Sequence, residues 1–292
     1  MQSSVPPGQM GQGWLNGFIG VLIFSGSLPA TRVADAGFSP LFLTGARATI
    51  AGLLALLLLV VFREKRPEKA DLPSLLMVAA GVVVGFPLLT ALALTHLTAA
   101  RCILYIGLLP LSTALFAILR GGERPHPCFW LFSLAGSALI AGYALTHGAG
   151  VASSGDVMMV AAIGICGLGY AEGARLTRRL GGWQVISWAL VLSLPLMAGV
   201  MLAVWPEGLR AVTPGAWAGL AYVSVFSMLI GFLFWYRGLA QGGIAAVGQL
   251  QLLQPGFGLL LAAVLLHETI GWALIAVMGA VALCVAVARR YG

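Results

Sequence analysis

Apolar runs long enough to cross a lipid bilayer occupy almost the whole chain of 292 residues. A membrane-spanning α-helix needs about 20 consecutive apolar residues, and the sequence offers about ten such runs separated by short polar breaks. Runs without alternation, such as residues 53–59 (LLALLLL), exclude a transmembrane β-barrel, whose strands alternate apolar and polar positions. The sequence therefore predicts an all-α polytopic membrane protein with ten transmembrane helices and no sizeable soluble domain.

Composition agrees with this class, since 60% of the residues are hydrophobic and only 9% are charged, against about one-quarter charged in soluble domains. Residues 1–13 are polar and lack the basic segment of a cleaved signal peptide, so they are expected to form a short disordered lead. The predicted spans are 14–34, 39–62, 72–95, 98–119, 127–147, 156–177, 184–205, 215–238, 243–266 and 270–288.

Basic residues predict the orientation of these spans. With a cytoplasmic N-terminus, the inner loops and helix ends carry 12 of the Lys and Arg residues, and the outer side keeps Arg32, Arg101 and Arg210. This positive-inside bias places both termini in the cytoplasm. The net charge of +7 is accordingly attributed to loops beside anionic lipid, and no nucleic-acid partner is expected.

Two stretches share a layout that indicates a duplication. Pro110 precedes Glu123 by 13 residues, Pro255 precedes Glu268 by 13, and the prolines themselves lie 145 residues apart. Five spans per half invert the second half relative to the first, and inverted repeats place a solute site near the middle of the membrane. The predicted repeats are residues 14–147 and 156–289.

Polar residues inside spans are the candidates for solute binding, because an amide or hydroxyl in hydrocarbon needs a partner or water. Gln251 and Gln254 lie on one face of span 9 and are expected to line a cavity, with an interhelical polar contact as the alternative. Prolines inside spans are predicted hinges or kinks. Of the prolines inside spans, which also include Pro195, the predicted hinges are Pro29, Pro87, Pro110 and Pro255.

Aromatic and small hydroxyl residues extend this candidate set. Tyr105 and Tyr170 either contact a solute or pack in the core, and Trp235 is a cavity candidate that lies in an aromatic pair expected near the inner interface. Ser25, Ser27 and Thr90 either face the cavity or bond back to their own helices.

The motifs of spans 4 and 9, with residues 235–239 (WYRGL) and 252–255 (LLQP), resemble the EamA branch of the drug/metabolite transporter superfamily. The resemblance covers almost the whole chain and implies a bacterial inner-membrane carrier that works by alternating access. Residues 95–119 are similar to part of the bacterial aromatic amino-acid exporters of that superfamily. The implied cavity is built largely from spans 1, 3, 4, 6, 8 and 9, so Arg47 in span 2 is expected to be structural or to snorkel.

The resulting prediction is an exporter of small organic metabolites, foremost amino acids including aromatic ones. A multidrug or cationic-compound carrier and a channel-like facilitator are the alternatives. Glu172 is the one carboxylate expected inside a span, paired with Arg175, so no proton-coupling carboxylate is apparent.

No enzyme is expected. The HExxH pattern that begins at His267 is broken by Gly271, and neither a GxSxG elbow nor a phosphate loop occurs. The four cysteines lack metal-site spacing, so neither a metal nor another cofactor is predicted. The expected partners are a small-molecule solute and the lipid bilayer, and the expected state is a monomer or a weak homodimer.

Overall fold

The computed structural model describes residues 7–97, 102, 105–148, 153–209, 212–266 and 272–291, and these residues contain no β-strand. The helices of the first half are α1 Pro7–Ser25, α2 Ser27–Asp35, α3 Pro40–Val61, α4 Leu72–Val78, α5 Phe86–Leu94, α6 Leu109–Gly121 and α7 Pro127–Gly148. Those of the second half are α8 Ser154–Leu180, α9 Gly182–Ala203, α10 Pro214–Ala221, α11 Gly231–Gly242, α12 Ile244–Gly248, α13 Gln254–Leu266 and α14 Trp272–Ala288.

Helix boundaries follow local capping chemistry. Ser39 accepts a hydrogen bond from the Phe42 amide at 3.3 Å, and Pro40 occupies the first helical position of α3. Helix α6 ends at Gly122, whose φ of 70° lies in the left-handed region that favours glycine. The first helix begins at Pro7, so the predicted disordered lead is helical from its seventh residue onwards.

Six helical stretches of the described chain are long and apolar enough to cross a membrane. They are Met10–Asp35, Pro40–Val61, Lys69–Leu94, Ser154–Leu180, Gly182–Ala203 and Pro214–Gly242. Shorter apolar helices cover predicted spans 4, 5 and 10, at Leu109–Gly121, Pro127–Tyr143 and Ile275–Ala288. The all-α membrane fold is thus confirmed, while the count of ten crossings stays a prediction.

The helices pack in a pattern that exchanges the two halves. Helix α1 packs along α11, α3 along α9, and α7 along α14, while α8 packs against α5 and α6. Each span of one half corresponds to the span five places along in the other half. Span 1 packs beside span 8, and the corresponding spans, 6 and 3, also pack beside each other. This exchange is what two repeats related by a two-fold axis require.

Two π-helical segments mark equivalent positions in the halves. Ala79–Gly85 joins α4 to α5 in span 3, and Tyr222–Ile230 joins α10 to α11 in span 8. They begin 143 residues apart, close to the 145 that separate Pro110 and Pro255. Such segments are frequent at functional sites because they widen the helix and redirect its side chains.

Candidate functional site

A cavity of about 100 Å³ lies between the two halves and reaches Asp35, a solvent-exposed residue at the end of α2. Its walls come from spans 1, 2, 3, 4, 6, 8 and 9. The resemblance implied all of these except span 2. Polar and charged groups in the wall are Ser27, Thr31, Asp35, Thr44, Arg47, Thr90, Cys166, Tyr170, Ser227 and Gln254.

Arg47 is the one basic residue of the cavity wall. It lies two turns into α3, and its Nη2 donates to Ser227 Oγ at 3.3 Å. Its Nε is buried with no hydrogen-bond partner, and no carboxylate of the described chain pairs with it. Arg47 therefore lines the cavity, which the resemblance did not imply for span 2, and the choice between a structural role and contact with a solute stays a prediction.

Hydroxyl groups share the cavity wall with this guanidinium. The Ser27 hydroxyl donates to Ser227 Oγ at 2.7 Å, which links span 1 to span 8 across the cavity wall. The Thr90 hydroxyl is buried and has no hydrogen-bond partner within the described residues. Buried polar groups are normally paired, so these groups suit a polar solute or water in the cavity.

Four of the predicted solute-binding residues line the cavity together: Ser27, Thr90, Tyr170 and Gln254. Ser25 does not, since its hydroxyl bonds back to the Val21 carbonyl at 2.7 Å. Ser25 therefore bonds back to its own helix, the alternative that the sequence left open, and solute binding by the four cavity residues stays a prediction.

Tyr105 is also absent from the cavity wall. Its hydroxyl donates to Asp156 Oδ1 at 2.8 Å, at the start of α8, where the Asp156 carboxylate accepts from the Ser153 amide. In this conformation Tyr105 holds the first turn of a helix.

Gln249 and Gln251 lie in the 3₁₀ segment that precedes Gln254, and neither they nor Trp235 line the cavity. All three side chains are fully buried, and their polar atoms lack hydrogen-bond partners in the described chain. Gln251 lies beside Tyr170 without meeting hydrogen-bond geometry. Trp235 packs against Phe24 and Tyr170, so the expectation that this aromatic pair anchors at the interface is wrong for Trp235, as it is for buried Tyr236.

Each predicted hinge proline begins a helical segment immediately after an irregular stretch. Pro87 and Pro110 are the second residues of α5 and α6, and Pro255 is the second of α13, which follows the 3₁₀ turn Gln249–Leu253. Pro29 is the third residue of α2, after the break at Gly26. At that break the Ile23 carbonyl accepts from the Gly26 amide at 3.3 Å and from the Tyr222 hydroxyl at 2.8 Å, so a side chain of span 8 bonds to the backbone of span 1 where the helix is interrupted.

One end of the bundle, here called the basic end, carries loop 62–68, Glu123 and the last turn of α14. Glu123 connects two helices at this end: its Oε1 accepts from the Ile244 amide at 2.7 Å, and its Oε2 accepts from the Ala245 amide at 2.8 Å. These are free donors at the N-terminus of α12, where a carboxylate is favoured. Glu123 thereby ties span 4 to span 9 and also approaches Arg178 at 3.6 Å. Its predicted counterpart, Glu268, lies outside the described residues.

A second carboxylate joins three helices near the same end. Glu172, fully buried in α8, pairs with Arg175 at 2.9 Å, which confirms the predicted partner, and also with Arg120 of α6. Arg175 in turn donates to Ser74 Oγ in α4 at 3.0 Å. The basic end is further held by the pair of Asp71 and Arg179.

Glycines bring two helix backbones together at this end. A Cβ on Gly238 of α11 would lie 2.5 Å from the Gly17 amide nitrogen of α1, and one on Gly13 would lie 2.5 Å from the Gly242 nitrogen. Small residues of this kind allow helices in membranes to pack closely. The side chains of Asn16 and Gln241 add a hydrogen bond of 3.0 Å beside them.

Asp35 is the last residue of α2 and lines the solvent-exposed part of the cavity. No group of three or more His, Cys, Asp or Glu side chains that could hold a metal occurs in the described part of the chain.

A helical membrane bundle of two exchanged halves, with a polar cavity between them, defines a membrane transporter. Two stretches of this chain, residues 11–145 and 153–289, match the model of the EamA-like transporter family. The chain belongs to this family, within the drug/metabolite transporter superfamily.

Curated relatives carry transporter names rather than enzyme names. The chain is 68% identical over 279 residues to "Uncharacterized transporter YdeK" of Bacillus subtilis (strain 168), covering 96% of this chain and 97% of that protein. It is 26% identical to a "Probable terminal-alkyne amino-acid exporter" of Streptantibioticus cattleyicolor, over 85% of this chain and 83% of that protein. A protein of known crystal structure shares the fold, with a TM-score of 0.78 at 23% identity over 94% of this chain and 97% of that one.

Proposed function

We propose that this protein is a secondary transporter that exports small organic metabolites, foremost amino acids including aromatic ones, across the bacterial inner membrane by alternating access. The observation that carries the proposal is the asymmetry of the cavity. It reaches exposed Asp35 at one end, whereas Gln251, Trp235 and the Glu123 contacts fill the path to the other. A carrier stopped in one of its two end states has this form.

The proposed orientation puts the basic end in the cytoplasm, together with both termini. Loop 62–68 and the helix ends at Arg178, Arg179 and Arg289 gather there, and the excess of Lys and Arg supports the assignment. The cavity then faces outward, so the conformation is the one from which an exported solute leaves.

The relative named as a probable amino-acid exporter supports an amino-acid solute, although its identity to this chain is low. The cavity wall also fits, since Phe24, Phe86, Tyr170 and Phe232 offer aromatic surface beside the polar groups. A cationic solute, the alternative from the sequence, would meet an unpaired guanidinium in the same wall.

The test is counterflow in liposomes that contain the purified protein and a high internal concentration of unlabelled L-phenylalanine. External labelled L-phenylalanine is expected to accumulate inside transiently above its equilibrium level. Each unlabelled molecule that the carrier moves out leaves the binding site facing outward, where it can take up a labelled molecule and carry it in. Protein-free liposomes are the control. Uptake that rises to equilibrium without an overshoot would identify a channel-like facilitator instead.

The proposal also includes transport without proton coupling, because the one carboxylate in the cavity wall, Asp35, lies at its exposed rim. A pH gradient alone is then expected to drive no uphill accumulation in the same liposomes. Accumulation that follows the gradient and collapses with an uncoupler would overturn this part.

A further inference from the structure

We infer that Arg47 binds the carboxylate of the transported solute, so that the site selects small organic acids and amino acids with an apolar or aromatic body over the corresponding amines. The inference rests on the proposed function and names the solute class of the same cavity. In this inference Arg47 determines which solutes the site accepts. The family resemblance had placed it in span 2, outside the implied cavity.

The first argument is the unpaired charge. A guanidinium stays protonated in proteins and offers five N–H donors, yet Arg47 uses one of them in the described chain, in a bond of 3.3 Å to a neutral hydroxyl. The other arginines near buried acids, such as Arg120 and Arg175, meet a carboxylate. A charge inside a membrane protein is costly and marks a functional position when it faces a cavity.

The second argument is the neighbourhood of the guanidinium. Ser227 accepts from both Ser27 and Arg47, which leaves its own hydroxyl proton to donate, and the Thr90 hydroxyl in the same cavity wall has no partner among the described residues. Donors grouped around a guanidinium match the several lone pairs of a carboxylate, which takes charge-assisted and bidentate hydrogen bonds from arginine.

The third argument is the remainder of the wall, which fits the body of such a solute. Phe24 and Phe232 stand with ring centroids 4.9 Å apart, and Tyr170 lies 6.1 Å from Phe232. Phe86 and Met228 complete this apolar side. Asp35, at the outer rim, is placed to attract the ammonium group of a zwitterion.

The experiment compares three solutes that share one ring and one chain: L-phenylalanine, 3-phenylpropionate and phenethylamine. Wild-type liposomes are expected to transport the two carboxylates and to disfavour the amine. Arg47→Gln should lower transport of the carboxylates by about 10- to 100-fold, the value of lost charge-assisted hydrogen bonds. Arg47→Lys keeps the positive charge but loses the planar guanidinium that can bind a carboxylate through two hydrogen bonds. Its transport of the carboxylates should lie between those of the wild type and Arg47→Gln.

Arg63→Gln is the matched control, because it removes the same charge from the exposed turn that follows α3, outside the cavity wall. It should transport as the wild type does. Thermal unfolding adds a second readout. Without solute, the melting temperature of Arg47→Gln should be no lower than that of the wild type, because the substitution removes an unpaired charge. If Arg47 had a structural role instead, the same substitution would lower the melting temperature.

Equal transport of the carboxylates by Arg47→Gln and the wild type would overturn the inference and leave the proposed function standing. An equal loss of all three solutes, a lower melting temperature of Arg47→Gln, or a preference of the wild type for phenethylamine would overturn it as well. Transport of none of the three solutes by the folded wild type would overturn the proposed function, and the inference with it.

Discussion

At the scale of single residues, the basic end depends on carboxylates that each serve more than one donor. Glu123 accepts from two backbone amides of α12 and lies near Arg178, while Glu172 meets two arginines from different helices. Each carboxylate meets at least one donor from the half to which it does not itself belong, so each joins elements that the proposed opening at this end would separate.

Glu123→Ala should weaken the closed basic end, because it leaves the Ile244 and Ala245 amides without their acceptor. Each hydrogen bond to a charged group contributes about 1.5–3 kcal/mol, so a clear fall in the melting temperature in detergent is expected. Glu207→Ala is the control, since Glu207 is exposed in the loop after α9. Equal melting of the two variants would contradict the role given to Glu123.

Glu172→Gln should destabilise the protein more than Arg175→Gln does. Removing the buried carboxylate leaves Arg120 and Arg175 facing each other without a counter-charge, and breaking a buried ion pair costs about 3–5 kcal/mol. Removing Arg175 leaves Glu172 paired with Arg120. Thermal unfolding of both variants measures the difference, and a larger effect of Arg175→Gln would show that Glu172 is not the centre of the cluster.

At the scale of helices, the proposed closure of the basic end depends on the close contact of α1 with α11. Gly17 and Gly238 let the two backbones touch, and their neighbours Gly13 and Gly242 repeat the contact one turn along. Larger side chains there would hold the helices apart while leaving each helix intact.

Gly238→Ala should reduce counterflow and favour the state that is open at the basic end, because its Cβ would lie 2.5 Å from a backbone nitrogen. Gly199→Ala is the matched control, since a Cβ there has no neighbour within 4 Å and alanine favours the helix by about 1 kcal/mol. Counterflow in liposomes checks both variants. Normal activity of Gly238→Ala would contradict the proposed movement of α1 against α11.

The sequence predicted the helix layout better than the orientation of each helix. The repeated Pro–Glu spacing predicted equivalent halves, and Gln254 and Thr90 line the cavity as expected. Helix α3, however, has apolar residues on all sides around Thr44, Arg47 and Thr49, so its pattern did not predict which way the Arg47 side chain points. The π segment at Ala79 was equally hidden, because it changes hydrogen bonding without changing composition.

At the scale of the whole molecule, the proposed carrier stands in one of its two end states. The cavity ends at Gln254, and the buried amides of Gln249 and Gln251 lie next along the same segment. Unpartnered buried amides are costly in this state, and they would gain water or solute if the basic end opened. We therefore expect them to line the cavity of the opposite state.

The most direct test of alternating access is the sidedness of cysteine labelling at positions 90 and 251. Thr90→Cys and Gln251→Cys are made in a variant whose four native cysteines are replaced, and an impermeant thiol reagent is applied to either face of the membrane. Position 90 is expected to react from the Asp35 side, and position 251 only from the basic side and only during solute exchange. Simultaneous reaction of both positions from the Asp35 side, or a position 251 that stays unreactive during exchange, would contradict the account.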